Sequence, residues 1–171
     1  EFFSTSIPDL QTTDCSTAKV SLSALVVSAK TLIPDALAEA AETDSVTSFP
    51  QKTIASLRVA GLLTACVGAA YGGQNLGLIP GTNLALLQIL KHVGAGNLVA
   101  GRVLEGHMNA QLLVHQFGTE TQRKLFAQDA FNGRLFGVWN TQAQNGTFLT
   151  LPEANEYRLH GAKTFATGTG Y

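Results

Sequence analysis

The stretch GRLFGVWNTQ, residues 133–142, marks the change from a sequence typical of helices to one typical of strands. Its apolar and aromatic run, residues 135–139, lies between Gly133 and the polar segment 140–146. Such a run predicts a buried strand that leads into a loop. A second strand is expected over residues 157–159 and, after a turn, a third over residues 163–167.

Aromatic and hydroxyl side chains recur along these predicted strands. Trp139 and Phe165 offer flat apolar surfaces, and Thr141 and Thr167 offer hydroxyl groups. A flat aromatic ligand needs both kinds of group. The strand ends therefore predict one wall of a pocket for such a ligand. The alternative is that the two aromatic side chains are ordinary core residues.

Composition limits the class of protein. With 171 residues, of which 45% are hydrophobic and 13% are charged, the chain is too apolar for disorder. So few charges predict that much surface is buried, either in a homo-oligomer, a dimer or a tetramer, or against missing chain. Cys15 and Cys66 match no metal or redox spacing, which predicts reduced thiols in a cytoplasmic protein.

Charge and hydropathy also exclude two kinds of partner. The net charge is −1 and no run of Lys and Arg occurs, so no electric field would attract nucleic acid or an anionic membrane surface. No apolar segment reaches the roughly 20 residues that span a bilayer. The expected partner is therefore a small-molecule substrate, with no nucleic acid and no membrane.

Two helices are expected in the N-terminal third. The first begins with Ser16 or Thr17 as N-cap, bends at Pro34 and continues to about Glu42. The second occupies residues 50–61, because proline suits a first helical turn and glycine a helix end.

Three more helices follow. Thr82 is expected to cap a mostly buried third helix that stops at residues 94–96, and the fourth spans about 97–117. Within the fourth, Gly101 and Gly106 predict close approach of other helices. The fifth begins with a capping box and ends near residue 132.

His107 is the most reactive-looking side chain of the helical part. Histidine is the side chain best matched to proton transfer near neutral pH, which makes His107 a candidate catalytic residue. The alternative is a buried histidine bonded to a carbonyl group. His115 lies eight residues further on, which is not the spacing of a metal pair on one helical turn, so no metal is predicted.

Four motifs in order resemble those of the acyl-CoA dehydrogenase superfamily. The family shows Gly-Leu followed by a Tyr/Phe-Gly-Gly turn, a Gly-Thr/Ser-x-x-Gln helix start, a Thr-Glu-Pro loop and a strand Asn-Gly-x-Lys-x-Trp/Phe-Ile-Thr. The matching residues here are 61–73, 118–122, WNTQ at 139–142 and HGAKTFAT at 160–167. The resemblance covers about residues 49–171.

The resemblance implies a mainly α fold. An N-terminal up-down helical bundle would be followed by the first strands of a β-barrel domain. The expected division is an N-terminal arm over residues 1–15, a helical domain over 16–132 and the beginning of a truncated β domain over 133–171.

The resemblance also implies a flavin site, with FAD as the cofactor or FMN as the alternative. The residues implied to border the flavin ring are Trp139, Asn140, Thr141, Gln142, Phe165, Ala166 and Thr167. Asn145-Gly146-Thr147 stands for the family's Gly-Ser-Asp, which makes Thr147 a candidate substrate contact.

The implied reaction is α,β-dehydrogenation of an acyl thioester such as an acyl-CoA. In the family a Glu of a C-terminal helical domain removes the α-proton, and this chain stops before that domain. Gln142, where the family has Glu, and His107 favour the alternative of a reduced-flavin monooxygenase resembling dibenzothiophene monooxygenase. A second alternative is a non-catalytic helical interaction subunit.

Overall fold

The computed structural model describes residues 21–44, 48–153 and 156–168. It is mainly helical and ends in a two-stranded antiparallel sheet, which confirms the expected fold class. The helices are α1 (Leu22–Thr31), α2 (Ile33–Thr43), α3 (Gln51–Val59), α4 (Asn83–Gly96), α5 (Leu98–Phe117) and α6 (Glu120–Phe131), and the strands are β1 (Phe148–Glu153) and β2 (Glu156–His160).

The single bent helix expected in the N-terminal third is two helices. Ser21 is the N-cap of α1, and its hydroxyl accepts a hydrogen bond from the amide of Ala24. α2 begins one residue after Leu32, with Pro34 in its first turn, where the missing N–H is tolerated. The predicted caps and the predicted arm over residues 1–15 lie outside the described residues.

A carboxylate from α2 caps α3. Glu39 is buried and accepts hydrogen bonds from the amide of Lys52 at 2.9 Å and from the amide and hydroxyl of Thr53 at 2.8 and 2.6 Å. These amides belong to the first turn of α3, where backbone donors lack helical partners. Burial alone would raise the pKa of Glu39, but the bonds from Thr53 and Lys52 hold it below its ordinary value.

Helix α4 is the centre of the helical layer, since it packs against α1, α2 and α5. A Cβ on Gly101 would lie 2.8 Å from the Cα of Gly94, so the close helix approach predicted at Gly101 is confirmed. The interior is closed by aliphatic side chains from several helices and the turn after α3. The largest of them are Leu25, Leu57, Leu62, Leu63, Leu76, Ile89, Leu104 and Met108.

The prediction that the third helix is mostly buried is wrong. Ile89 and Val93 of α4 are buried, but Leu84 and Leu87 are exposed. The physical reason is that one stripe of α4 faces α1, α2 and α5, and no described element covers its other side.

Helix α6 starts and ends as expected. The capping box is present: the Thr119 hydroxyl accepts from the amide of Gln122, whose side chain accepts from the amide of Thr119. At the other end Gly133 has φ +79°, and its carbonyl accepts a hydrogen bond from Arg58 at 2.8 Å. This bond ties α3 to the end of α6.

The strands differ from the expected ones in two of three cases. Residues 135–139 form no strand, and residues 163–167 contribute a single bridge, from Lys163 to Gln142. The expected strand at 157–159 is confirmed as part of β2, and its partner β1 was not predicted. The first segment fails to be a strand because the amide of Phe136 bonds a side chain of α5 instead of a neighbouring strand.

Candidate functional site

A cavity of about 220 Å³ lies where α5 meets the extended segment 135–139. Helix α5 contributes Val103 and Gly106, all five residues of the segment form the opposite wall, and Phe49, Thr167 and Gly168 complete the lining. Among the described residues, the lining contains no Asp, Glu, His, Lys or Arg. The cavity can therefore bind a largely apolar group, and Thr167 is a lining residue that carries a hydroxyl group.

Gly106 leaves part of this space open. A Cβ on Gly106 would find its nearest contact, the backbone nitrogen of Val138, only 4.0 Å away. The close helix approach predicted at Gly106 is therefore wrong, in contrast to Gly101 five residues earlier. A glycine inside a helix is less favourable than alanine by roughly 1 kcal/mol. Since packing does not require this glycine, its effect is to widen the cavity.

The structure brings together two of the sequence-predicted site residues. Trp139 and Thr167 both line the cavity, although they are 28 positions apart in the chain. The indole of Trp139 is 47% exposed and so remains available to a ligand. An aromatic surface and a hydroxyl group thus share one cavity.

The other predicted residues lie outside the cavity lining. Phe165 is 82% exposed and has φ +56°. The carbonyl of Thr141 accepts from the amide of Thr164 at 3.0 Å, and the carbonyl of Asn140 accepts from the ammonium of Lys163 at 3.3 Å. Ala166 is half-buried beside them. These residues follow the two chain segments that run on from the cavity.

The side chain of Gln142 is hydrogen-bonded to Thr147 across a turn. The side-chain oxygen of Gln142 accepts from the amide of Thr147 at 2.7 Å and from its hydroxyl at 3.0 Å. The two side chains therefore hold the loop that precedes β1. Their roles towards flavin and substrate stay predictions.

His107 lies directly behind the cavity wall and is fully buried. Its Nδ1 accepts a hydrogen bond from the amide of Phe136 at 3.1 Å, so the ring proton of the neutral form is on Nε2, which lies 2.7 Å from the carbonyl oxygen of Leu63 and donates to it. Burial lowers the pKa of His107, and the bond to Leu63 opposes this only in part. The neutral ring stacks on Phe136 with centroids 5.2 Å apart.

Sequence reasoning missed Gln111, which joins the same group. Its side-chain amide donates to the carbonyl of Leu63 at 2.7 Å, so that this oxygen accepts from both Gln111 and His107. The signal in the sequence is the spacing of four residues, which places the two side chains on one helix face. The role of His107 in proton transfer stays a prediction, because the ring is bonded on both sides and lines no part of the cavity.

Among the described residues, no group of three or more His, Cys, Asp or Glu side chains is placed to hold a metal ion. No helix in the described part of the chain is long and apolar enough to cross a membrane.

Comparison with known families gives one match. A family model described as acyl-CoA dehydrogenase, N-terminal domain, matches residues 22–134, which is more than half of the chain. The matched range contains α1 to α6 and ends just before the cavity-wall segment 135–139. No curated protein matches the chain.

Proposed function

Because this chain belongs to the acyl-CoA dehydrogenase family, whose members are flavoprotein oxidoreductases, we propose that it is part of a flavin-dependent oxidoreductase that binds FAD. The observation that carries the proposal is the cavity in which Trp139 and Thr167 meet beside Gly106. An isoalloxazine ring needs an apolar surface for stacking and a few fixed polar contacts at its edge. The cavity supplies both kinds of group.

We assign Thr167 and Trp139 to different parts of the flavin ring. Thr167 would hold a polar atom of the ring system, and Trp139 would cover its apolar surface. Two segments continue away from the cavity, residues 140–142 and residues 165–166. They belong to one paired stretch of chain, in which Lys163 and Gln142 form a bridge. We propose that this stretch borders the rest of the ring system.

The proposed reaction is α,β-dehydrogenation of an acyl thioester, with an acyl-CoA as the small-molecule substrate. FAD supplies the chemistry that these side chains lack, since it accepts a hydride. The described residues that line the cavity would bind the ligand and exclude water from it. None of their side chains titrates near neutral pH. The base that removes the α-proton therefore belongs to a part of the enzyme other than this cavity.

We further propose a cytoplasmic homo-oligomer. Leu84 and Leu87 of α4 are exposed in the helical layer, together with Leu98 at the start of α5. A second subunit would remove these side chains from water. Light scattering on the purified chain measures the oligomeric state directly.

The test compares Thr167→Val with Thr121→Val. Thr121 is exposed on α6 and lines no part of the cavity, so its substitution is a matched control. Loss of one hydrogen bond costs roughly 0.5 to 1.5 kcal/mol. Thr167→Val is therefore expected to weaken FAD binding about three- to tenfold in calorimetric titration.

Three results would contradict the proposal. Equal FAD affinity in both variants and the wild type would show that Thr167 does not contact FAD. Absence of FAD binding, together with tighter binding of reduced FMN, would favour the monooxygenase alternative. Absence of binding to any flavin would favour a non-catalytic interaction subunit.

A further inference from the structure

The cavity-wall segment 135–139 is held to the helical layer by one hydrogen bond and by the packing of two side chains. Among the described residues, the hydrogen bond between the amide of Phe136 and Nδ1 of His107 is the one that joins this segment to α5. Leu135 packs against the core, and the ring of Phe136 lies 4.8 Å from the ring of Phe126 in α6. The bond to His107 is therefore the polar contact that fixes the wall relative to α5.

Histidine is suited to this contact because its two ring nitrogens act in opposite senses. Nδ1 accepts from Phe136 in the wall, and Nε2 donates to Leu63 in the turn that follows α3. The ring thus connects two backbone segments that are 73 positions apart. The stack on Phe136, with an interplanar angle of 18°, adds a second contact to the same residue.

The ring is also fixed from its own helix. Gln111, one turn further along α5, donates to the same carbonyl of Leu63 that His107 contacts. A carbonyl oxygen has two lone pairs, so it can accept both bonds. The amide nitrogen of Gln111 also lies 2.8 Å from Nε2 of His107, so the two side chains crowd around one carbonyl oxygen. The tautomer of His107 is set by Phe136, whose amide donates to Nδ1 and so leaves the ring proton on Nε2.

We propose that His107 is a positioning residue, which sets the distance between the cavity wall and α5 through the amide of Phe136. It acts as a neutral Nε2–H imidazole and transfers no proton to the ligand. That the ligand is FAD rests on the proposed function above. The positioning of the wall does not depend on the identity of the ligand.

Two variants separate the two bonds. In His107→Asn the side-chain oxygen can take the place of Nδ1, which keeps the bond to Phe136 and loses the bond to Leu63. In His107→Gln the side-chain nitrogen can take the place of Nε2, which keeps the bond to Leu63 and loses the bond to Phe136. Neither amide titrates, so the two variants are equal with respect to proton transfer.

Hydrogen exchange of the Phe136 amide, measured without ligand, reports directly on the bond between the cavity wall and His107. We expect exchange in His107→Gln to be about three- to tenfold faster than in His107→Asn, the size of one hydrogen bond. FAD titration of the same samples is expected to show weaker binding for His107→Gln by a similar factor. Thermal unfolding of both variants shows whether their stabilities are comparable.

The outcomes are distinct. Equal exchange of Phe136 in the two variants would overturn the positioning role, and equal loss of FAD binding without a difference in exchange would do the same. A difference in exchange without any FAD binding would leave the positioning role standing and refute the proposed cofactor. If neither variant folds, nitrogen NMR of the wild type decides, because a proton on Nδ1 of His107 is incompatible with the bond from Phe136.

Discussion

The helical layer and the β1–β2 hairpin differ in how far their apolar side chains are buried. Leu57 and Leu104 in the helical layer are fully buried, whereas Leu159 in β2 is 73% exposed and Leu149 opposite it is also exposed. The helices close their own interior. The apolar side chains of the hairpin are exposed, with Phe148 stacked on His160, so packing contributes little to its stability within the described part of the chain.

The cavity lies at the edge of the helical layer, where segment 135–139 leads from α6 towards the hairpin. Segment 135–139 has left the helical layer and has no strand partner, yet it is bonded to α5 through His107. It is the part of the structure in which space is left between backbone and helix, at Gly106. Function is therefore expected at the boundary between the two regions.

The largest expected effect comes from a matched pair of leucine substitutions. Leu57→Ala removes a fully buried side chain and is expected to lower the free energy of unfolding by about 2 to 5 kcal/mol. Leu159→Ala removes an exposed side chain with one cross-strand neighbour and is expected to cost less than about 1 kcal/mol. Urea unfolding followed by circular dichroism measures both. Equal losses would mean that the hairpin is as tightly packed as the helices.

A smaller effect is expected inside the helical layer at Glu39. Glu39→Ala leaves the first amides of α3 without their acceptor and is expected to cost about 1 to 3 kcal/mol. The control is Glu42→Ala, which removes an exposed ion pair with Lys52 at 3.4 Å and is expected to cost less than about 1 kcal/mol. If the control cost as much as Glu39→Ala, the cap would have no special importance.

The same carboxylate predicts a dependence on pH. Because the pKa of Glu39 in the folded chain is below its ordinary value of 4.5, the unfolded chain binds the proton more readily. The stabilisation is therefore complete above that ordinary value and is lost as the pH falls through the lower pKa of the folded state. Glu39→Gln is expected to flatten this acid slope of the unfolding free energy, and an unchanged slope would contradict the assignment.

Local signals in the sequence were sufficient for most of the helices. Thr119 caps α6 as its sequence context predicts, because a cap involves residues only three positions apart. The side-chain cap expected at Thr82 is wrong, since the Thr82 hydroxyl accepts from the amide of Gly77 and donates to the carbonyl of Ile79 instead of bonding α4. The predicted start of the first helix, at Ser16 or Thr17, lies outside the described residues.

The cavity wall could not be predicted in the same way. An apolar run such as residues 135–139 is typical of a buried strand, but the bond that organises it comes from His107, 29 positions away from Phe136. Strand β1 was missed because it contains Pro152 and because its apolar residues are not buried on one face. Trp139 and Thr167 were found as candidates because their chemistry suits a flat ligand and because both stand at positions of the family motifs.

Trp139 allows the most direct test of the proposed site, because it is the single tryptophan of the sequence and lines the cavity. Titration of the purified chain with FAD, followed by tryptophan fluorescence, therefore reports on flavin bound near Trp139. We predict saturable quenching of Trp139 that is lost when the chain is unfolded. FAD binding detected by calorimetry with unchanged Trp139 fluorescence would contradict the proposed site, and no binding at all would contradict the proposed cofactor.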